Sequence, residues 1–381
     1  MANLLYLLIT GSLLMTAFLL FSRSGDTGRY ANRWLAVFLL ALTAVFLDDC
    51  FVILGANKDI SFSTEFLGLF ILSVGPAFYL SVRAYTSLTP IRLRANLIHF
   101  APFLLFFLLT ILVILLETPG LASLSKQISK ATSNTIGLAV LIFNIGQLIT
   151  YCLLSLQLIN RHKLAVATFA SSPGFVDLSW LKYFLCGVSF LVLVWLTTLI
   201  FPVLMAYVTI FYFVGVFYMA YYALNQREIF PFSEADKTAI AEVIDEARTS
   251  QIVQGEPRKS LLPPHELQDA KERLLASMEQ ERLYLDNDIT LPKLAEQTQL
   301  SIHKLSYLLN NDFGQNFYQF VNGYWIEEAK RLLLDPKKSH LSIEGIAYEA
   351  GFNSKSVFNT TFKKTTGFSP TDFKISVLTP E

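Results

Sequence analysis

The sequence predicts an all-α chain of two unlike halves: a seven-helix transmembrane bundle, then a helical domain made of two copies of one unit joined by a linker helix. Three observations predict it. Charge crowds into the C-terminal part, with 12 Lys plus Arg and 7 Asp plus Glu over residues 1–224 against 18 and 23 over residues 225–381. Seven apolar stretches of roughly 18 to 25 residues, the length that crosses a hydrocarbon core, fill the first half. Finally, Leu305, Leu309, Gly314, Phe317 and Phe320 recur 53 residues later as Phe358, Phe362, Gly367, Pro370 and Phe373. A repeat at fixed offset implies two copies of one fold unit. The whole-chain values, a net charge of zero and 53% hydrophobic residues, conceal this division.

The apolar stretches run from Leu4 to Phe21, Trp34 to Leu54, Phe66 to Val82, Ile98 to Leu116, Thr135 to Ile159, Tyr183 to Phe201 and Ala206 to Leu224. The first has no basic n-region and no small-residue cleavage site before Arg23, so it reads as a span rather than a secretion signal. Cytoplasmic loops collect Lys and Arg. Arg23, Arg29 and Arg33 follow span one; Arg83, Arg92 and Arg94 follow span three; Arg161, Lys163 and Lys182 follow span five; Arg227 follows span seven. The opposite loops hold only Lys58, Lys126 and Lys130. The expected topology is a multi-pass protein of a bacterial inner membrane, with the N-terminus outside and the C-terminal domain in the cytoplasm. An odd number of spans is then required.

Loops on the outer side are about 20 residues at most, too short for a separate sensor domain. Sensing would fall to the bundle. Asp48 and Asp49 in span two, with Asn144 and Gln147 one turn apart in span five, are polar groups at membrane depth. Such groups are costly in lipid and face a bundle interior or water. They are the candidates for an unidentified small-molecule or membrane signal, and the simpler role is interfacial hydration and helix-to-helix hydrogen bonding. Cys50, Cys152 and Cys186 lie in spans without metal-ligand spacing, as small core residues do. Trp34 and Trp180 fit interfacial belts.

Past Leu224 the chain becomes charged and amphipathic. Over residues 225–284 Ser233 is placed to cap a helix bearing Ile240, Val243, Ile244 and Ala247 on one face. Gln251 to Pro264 is a break, and a second helix carries Leu267, Leu274, Leu275 and Met278 from His265 to about Leu283. The stretch from 225 to 288 holds 8 basic and 14 acidic side chains, a composition for dimerisation or relay rather than for touching a polyanion. His265-Glu266-Leu267 resembles the opening of a histidine-kinase phosphoacceptor helix, but no Gly-rich nucleotide site follows. No nucleophile with a paired base, metal spacing or phosphate loop appears elsewhere, so no enzyme is expected, nor any cofactor.

In the first copy, Thr290 is placed to cap a helix with Leu291, Leu294 and Ala295, a turn passes through Gln299, and Ser301 caps the next helix. Ile302, Leu305, Leu308 and Leu309 are its buried positions, leaving His303, Lys304, Ser306, Tyr307 and Asn310 on the other face. In the second copy Ile343, Ile346 and Ala347 support, Gly351 turns, and Phe358 and Phe362 anchor a helix from about Ser354. Lys355, Ser356, Asn359, Thr360 and Lys363 then project together. Gly351 suits a left-handed helix end, whereas Gln299 at the matching place costs about 1 kcal/mol. Phe317 to Leu334 reads as one linker helix of roughly 27 Å, long enough to set two such units about one DNA turn, ~34 Å, apart.

These residues carry a resemblance. Ile346-Ala347-Tyr348-Glu349-Ala350-Gly351-Phe352-Asn353-Ser354-Lys355-Ser356, followed by Phe358, Phe362-Lys363-Lys364, Gly367 and Ser369-Pro370, resembles the DNA-binding domain of AraC/XylS transcription regulators. Glu327-Glu328-Ala329-Lys330-Arg331-Leu332-Leu333 is similar to that family's linker helix. The resemblance covers about residues 285–375. It implies a tandem helix-turn-helix binding double-stranded promoter DNA, with RNA polymerase as a further partner and a homodimer as an assembly. By it, His303, Ser306 and Tyr307, and Lys355, Ser356, Asn359 and Thr360, are base-edge candidates. Lys304, Lys363 and Lys364 would hold phosphates. Two positions depart from the family: Thr360 stands where Arg is common, shifting readout toward Lys355 and Asn359, and Trp325 stands where a basic residue would meet a phosphate. From Ile289 onward there are only 10 basic and 9 acidic residues, so affinity is expected to need both units.

The expectation is a membrane-anchored transcription regulator with the lipid bilayer as its support. The competing expectation is a membrane receptor or transporter whose C-terminal domain only binds protein.

Overall fold

The computed structural model describes residues 2–22, 29–53, 67–88, 96–116, 122–171, 178–198, 200–225, 232–252 and 263–378. Among them the chain is helical, with a single antiparallel bridge between Ala170 and Thr290. The loop cations Arg23, Lys58, Arg92, Arg94 and Arg227, most of the break after Gln251, and the side chains of Lys126, Lys130 and Ala247 lie outside the described residues. The chain divides into two compact units, Met1–Asn160 with Leu178–Ile229, and Arg161–Asp177 with Phe230–Glu381.

In the first unit a helix lies over each apolar stretch: α1 Ala2–Ser22, α2 Arg29–Ile53, α3 Ile71–Thr86, α4 Ala101–Leu116, α5 Ala122–Val166, α6 Ser179–Thr198 and α7 Met205–Asn225. Among the described residues, four segments are by length and composition long and apolar enough to cross a membrane, Leu4–Ser22, Tyr30–Phe51, Ala139–Val166 and Tyr207–Asn225, and a shorter apolar helix covers Leu97–Leu112. These helices are apolar on both faces. In α1, Ile9, Leu13 and Leu20 are buried while Met15 and Phe18 are 66% and 69% exposed. Such a helix needs an apolar surrounding on its outer side.

Small residues bring α3 close to its neighbours. A Cβ added at Gly75 would meet Tyr151 of α5 at 3.1 Å, which is tighter than ordinary carbon contact. Tyr85 donates a buried hydrogen bond to Asn32 Oδ1 at 2.7 Å, tying α3 to α2. Cys50 is buried as expected, but Cys186 is exposed and Cys152 half-buried. Trp180 is buried, with Tyr85 edge-on to its ring and Tyr222 stacked on it.

The second unit starts with α8 Glu234–Ile252 and α9 Pro264–Glu279. Ser233 Oγ accepts from Asp236 N at 3.1 Å, the expected cap. Ile240, Val243 and Ile244 are buried. Then come α10 Leu291–Gln297, α11 Ile302–Tyr307, α12 Phe317–Leu334, α13 Ile343–Ala350, α14 Lys355–Thr366 and α15 Pro370–Leu378. The linker helix α12 has the bounds the periodicity predicts, and Asn316 and Gln319 close a reciprocal capping box at its start, satisfying two of its orphan donors. Thr290 makes no side-chain cap, while Ser301 and Ser342 do.

The two copies are cored differently. Copy one is aliphatic, with Leu291, Leu294, Leu305, Leu308 and Leu309 buried. Copy two is organised on a chain of rings, Trp325 to Phe352 at 5.0 Å, Phe352 to Phe358 at 5.1 Å, Phe358 to Phe362 at 5.4 Å and Phe362 to Phe373 at 5.4 Å. Gln299 has φ 56° and Gly351 φ 116°, so both turns use the left-handed conformation. The repeat extends to the helix ends, where Gly314 (φ 64°) and Gly367 (φ 83°) match.

Residues 166–171, which the sequence places beside span five, form a strap on this second unit. Phe169 O accepts from Leu291 N at 2.8 Å and Ala167 O from Tyr318 N at 3.2 Å. Ser171 Oγ donates to Ile289 O at 2.7 Å, and Asn322 Nδ2 donates to Ser171 O at 3.1 Å. The first turns of α10 and α12 therefore find acceptors for amides that no helix can satisfy internally. Phe169 is buried and meets Phe232 edge-on.

Candidate nucleic-acid interface

On α14, Phe358 and Phe362 are fully buried four residues apart, and this orients the rest of the helix. Lys355, Ser356, Asn359, Thr360, Lys363 and Lys364 are all exposed. Thr360 Oγ1 is committed to Ser356 O at 2.9 Å, which leaves Lys355 and Asn359 as the longer polar groups of the first two turns. Lys355 Nζ lies 3.6 Å from Glu344 Oε2, an exposed pair that contributes little by itself. Lys363 and Lys364 stand in the last turn, where the helix dipole favours cations. The exposed face therefore carries amide and hydroxyl groups in its first two turns and two lysines in its last.

On α11 the arrangement differs. His303 Nε2 is 3.0 Å from Glu242 Oε2, and Lys304 Nζ is 3.1 Å from Glu266 Oε2. Tyr307 is half-buried and Asn310 is exposed. Ser306 is buried, not on an open face, and Asn310 Nδ2 donates to its Oγ at 3.2 Å and to its carbonyl at 2.9 Å. The correction has a local reason: Ser306 follows Ile302 by four residues and so falls on the buried stripe. After Tyr307 the helix widens into a π turn, Leu308–Asp312.

Trp325 is also corrected. It is 1% exposed, its indole Nε1 donates to Tyr284 O, and its ring meets Phe352. It cannot be a surface position that has lost a phosphate contact. Val321, Trp325, Ala329 and Leu333 form one buried stripe of the linker helix, a pattern readable from their spacing.

Sequence reasoning missed an ionic cluster around one buried carboxylate of the same helix. Glu328 is 7% exposed in its side chain and holds Arg282 Nη2 at 2.6 Å and Arg331 Nη2 at 2.7 Å. Hydrogen bonding from Arg331, with Arg282 beside it, keeps the Glu328 carboxyl below the usual glutamate value. Arg331 is raised in turn by its bond to Glu328, and Arg282 is raised by its bonds to Tyr284 and Glu328. The cluster ties the linker helix to the segment before copy one, so it positions the two units rather than touching a ligand.

The polar candidates of the N-terminal helices lie on two different helices. Asp48 and Asp49 are on α2, Asn144 and Gln147 on α5, and among the described residues no hydrogen bond joins the two pairs. Asp48 Oδ1 and Gln147 Nε2 are each buried without a hydrogen-bond partner among the described residues. Asp49 and Asn144 are half-buried.

Comparison with known proteins bears on the second unit only. Residues 294–375 match the family of the helix-turn-helix domain, a stretch that runs from the supporting helix of copy one into the helix after copy two. No curated protein and no solved structure matches the chain. With the repeat, the paired left-handed turns and the exposed α14 face, residues 294–375 form an AraC-type helix-turn-helix domain, the DNA-binding part of this chain.

Proposed function

We propose that the chain is a membrane-anchored, sequence-specific transcription regulator of AraC type. A seven-span bundle would hold it in a bacterial inner membrane with the N-terminus outside and the helix-turn-helix domain in the cytoplasm. The observation that carries the reading is the exposed polar face of α14 in a chain whose N-terminal helices also turn apolar side chains outward. Base readout is assigned to Lys355, Ser356, Asn359 and Thr360, and in copy one to His303 and Tyr307. Lys304, Lys363 and Lys364 supply phosphate contacts.

Signal transmission has a physical route in this reading. The strap at 166–171 follows α5 in the chain and caps α10 and α12, so a shift of the strap would strain the first helix-turn-helix copy. A signal acts only through differential affinity for two states of the bundle. Asp48, Asp49, Asn144 and Gln147 remain the positions for it. RNA polymerase and a second copy of the chain are the proposed protein partners, and no catalytic activity is assigned.

Lys355→Ala with Asn359→Ala tests the reading. Each base contact is worth about 1–3 kcal/mol, so binding to a promoter found by chromatin mapping should fall at least tenfold while helicity is retained. Unchanged binding and transcription would leave a receptor or transporter with a protein-binding domain as the better description.

A further inference from the structure

The two recognition helices are not equally available. The imidazole of His303 and the ammonium of Lys304, both on α11, face carboxylates from outside the helix-turn-helix pair. His303 Nε2 meets Glu242 Oε2 at 3.0 Å and its Nδ1 lies 4.0 Å from Glu246 Oε1, both on α8. Lys304 meets Glu266 of α9 at 3.1 Å. These carboxylates occupy the partners that phosphates would take in a complex, since both are anionic oxygen acceptors. The six polar side chains of α14, by contrast, are exposed, and the carboxylate beside Lys355, Glu344 at 3.6 Å, belongs to the helix-turn-helix itself.

We propose that α8 and α9 are a built-in acidic shield over the first recognition helix: the resting chain offers DNA its second unit and gains the first when the shield is displaced. The proposal rests on the DNA-binding reading above. Two kinds of force hold the shield. Ile240, Val243 and Ile244 seat α8 by their buried apolar face, and this sets its position. The ion pairs are partly exposed, between 32% and 64% by side chain, so they are weak and sensitive to salt. A shield held this way competes with a polyanion without locking it out.

The near-neutral charge of the domain fits this arrangement. One unit with few cations binds weakly, and the second unit adds both contacts and register. Displacing α8 is therefore worth more than unmasking two side chains, because tandem engagement makes the second contact intramolecular. Since α8 begins nine residues after α7 ends, the segment that carries the shield is also the one that leaves the last apolar helix.

The test uses full-length protein in lipid nanodiscs and a fluorescent duplex of random sequence, about 40 base pairs, titrated at several salt concentrations. The variant Glu242→Gln/Glu246→Gln/Glu266→Gln is compared with Asp269→Asn/Glu272→Gln/Glu279→Gln, which removes the same charge from α9 away from His303 and Lys304. The shield predicts roughly three- to tenfold tighter binding for the first variant than for the second. It also predicts a salt slope steeper by about 0.9 for each phosphate newly engaged. Equal affinities and slopes for the two variants would overturn the shield and leave DNA binding intact. If neither the parent nor any variant bound the duplex, the DNA-binding reading itself would fall.

Discussion

Replacing Gly351 with Ala should unseat the second recognition helix, and the structure gives the size of the effect. Gly351 sits at φ 116°, where a non-glycine residue costs about 1–2 kcal/mol. A Cβ there would also lie 2.6 Å from Trp325 Cε2, whereas carbon atoms settle at about 3.5–4.0 Å. The indole cannot retreat: it is 1% exposed, bonded to Tyr284 O and packed on Phe352. Overpacking of this kind adds about 1–3 kcal/mol, for a combined cost of about 2–5 kcal/mol. Hydrogen exchange in the full chain is the assay, read over amides 343–366 with α12 as reference. Protection there should fall by about 30-fold or more. The double variant Gly351→Ala/Trp325→Leu should recover the overlap part and keep the backbone part, a non-additivity expected only of touching residues. A loss of protection under threefold, or strict additivity of the two substitutions, would refute the reasoning.

Gln299→Gly should do the reverse, raising local protection of copy one by about 0.5–1 kcal/mol, because Gln299 pays for φ 56° without any need for a side chain there. Ser171→Ala should lower protection at Leu291 and Tyr318 by about 1–3 kcal/mol, because Ile289 O loses its buried donor; unchanged exchange at both amides would dissociate the strap from the fold. Glu328 sets an acid limit. Its hydrogen bonds to Arg331 and Arg282 hold its folded pKa below the ordinary glutamate value, so the stability it contributes is present above that ordinary value and is lost as pH falls through the folded one. The stability gap between the parent and Glu328→Gln should therefore be present at neutral pH and narrow on acidification; a gap as wide at about pH 3 as at neutrality would contradict the ionic origin.

Much of the second unit was legible because its determinants are local. The stripe from Phe317 to Leu334 predicted α12 to the residue, and the offset repeat predicted both turns, including the strained one at Gln299. Ser306 and Trp325 were misplaced although their i, i+4 spacing to Ile302 and Val321 was available. For Ser306 the buried stripe was drawn too narrowly, and for Trp325 the family role outweighed the periodicity. The strap was not legible: Ser171 meets Ile289 across 118 positions and Asn322 across 151, and single-sequence periodicity carries no information about such pairings. The same holds for Glu242 and Glu266, whose acidity pointed away from DNA but not toward the helix they cover.

The amino-acid sequence alone determined an all-helical chain with apolar helices ahead of a duplicated helix-turn-helix, because helix period, turn glycines and charge partition act over a few residues. Only the tertiary structure decided that the two copies are unequal in access. Access depends on which surfaces meet: His303 and Lys304 of α11 meet carboxylates of the acidic helices α8 and α9, whereas Lys355 of α14 lies 3.6 Å from Glu344, a carboxylate of its own helix-turn-helix.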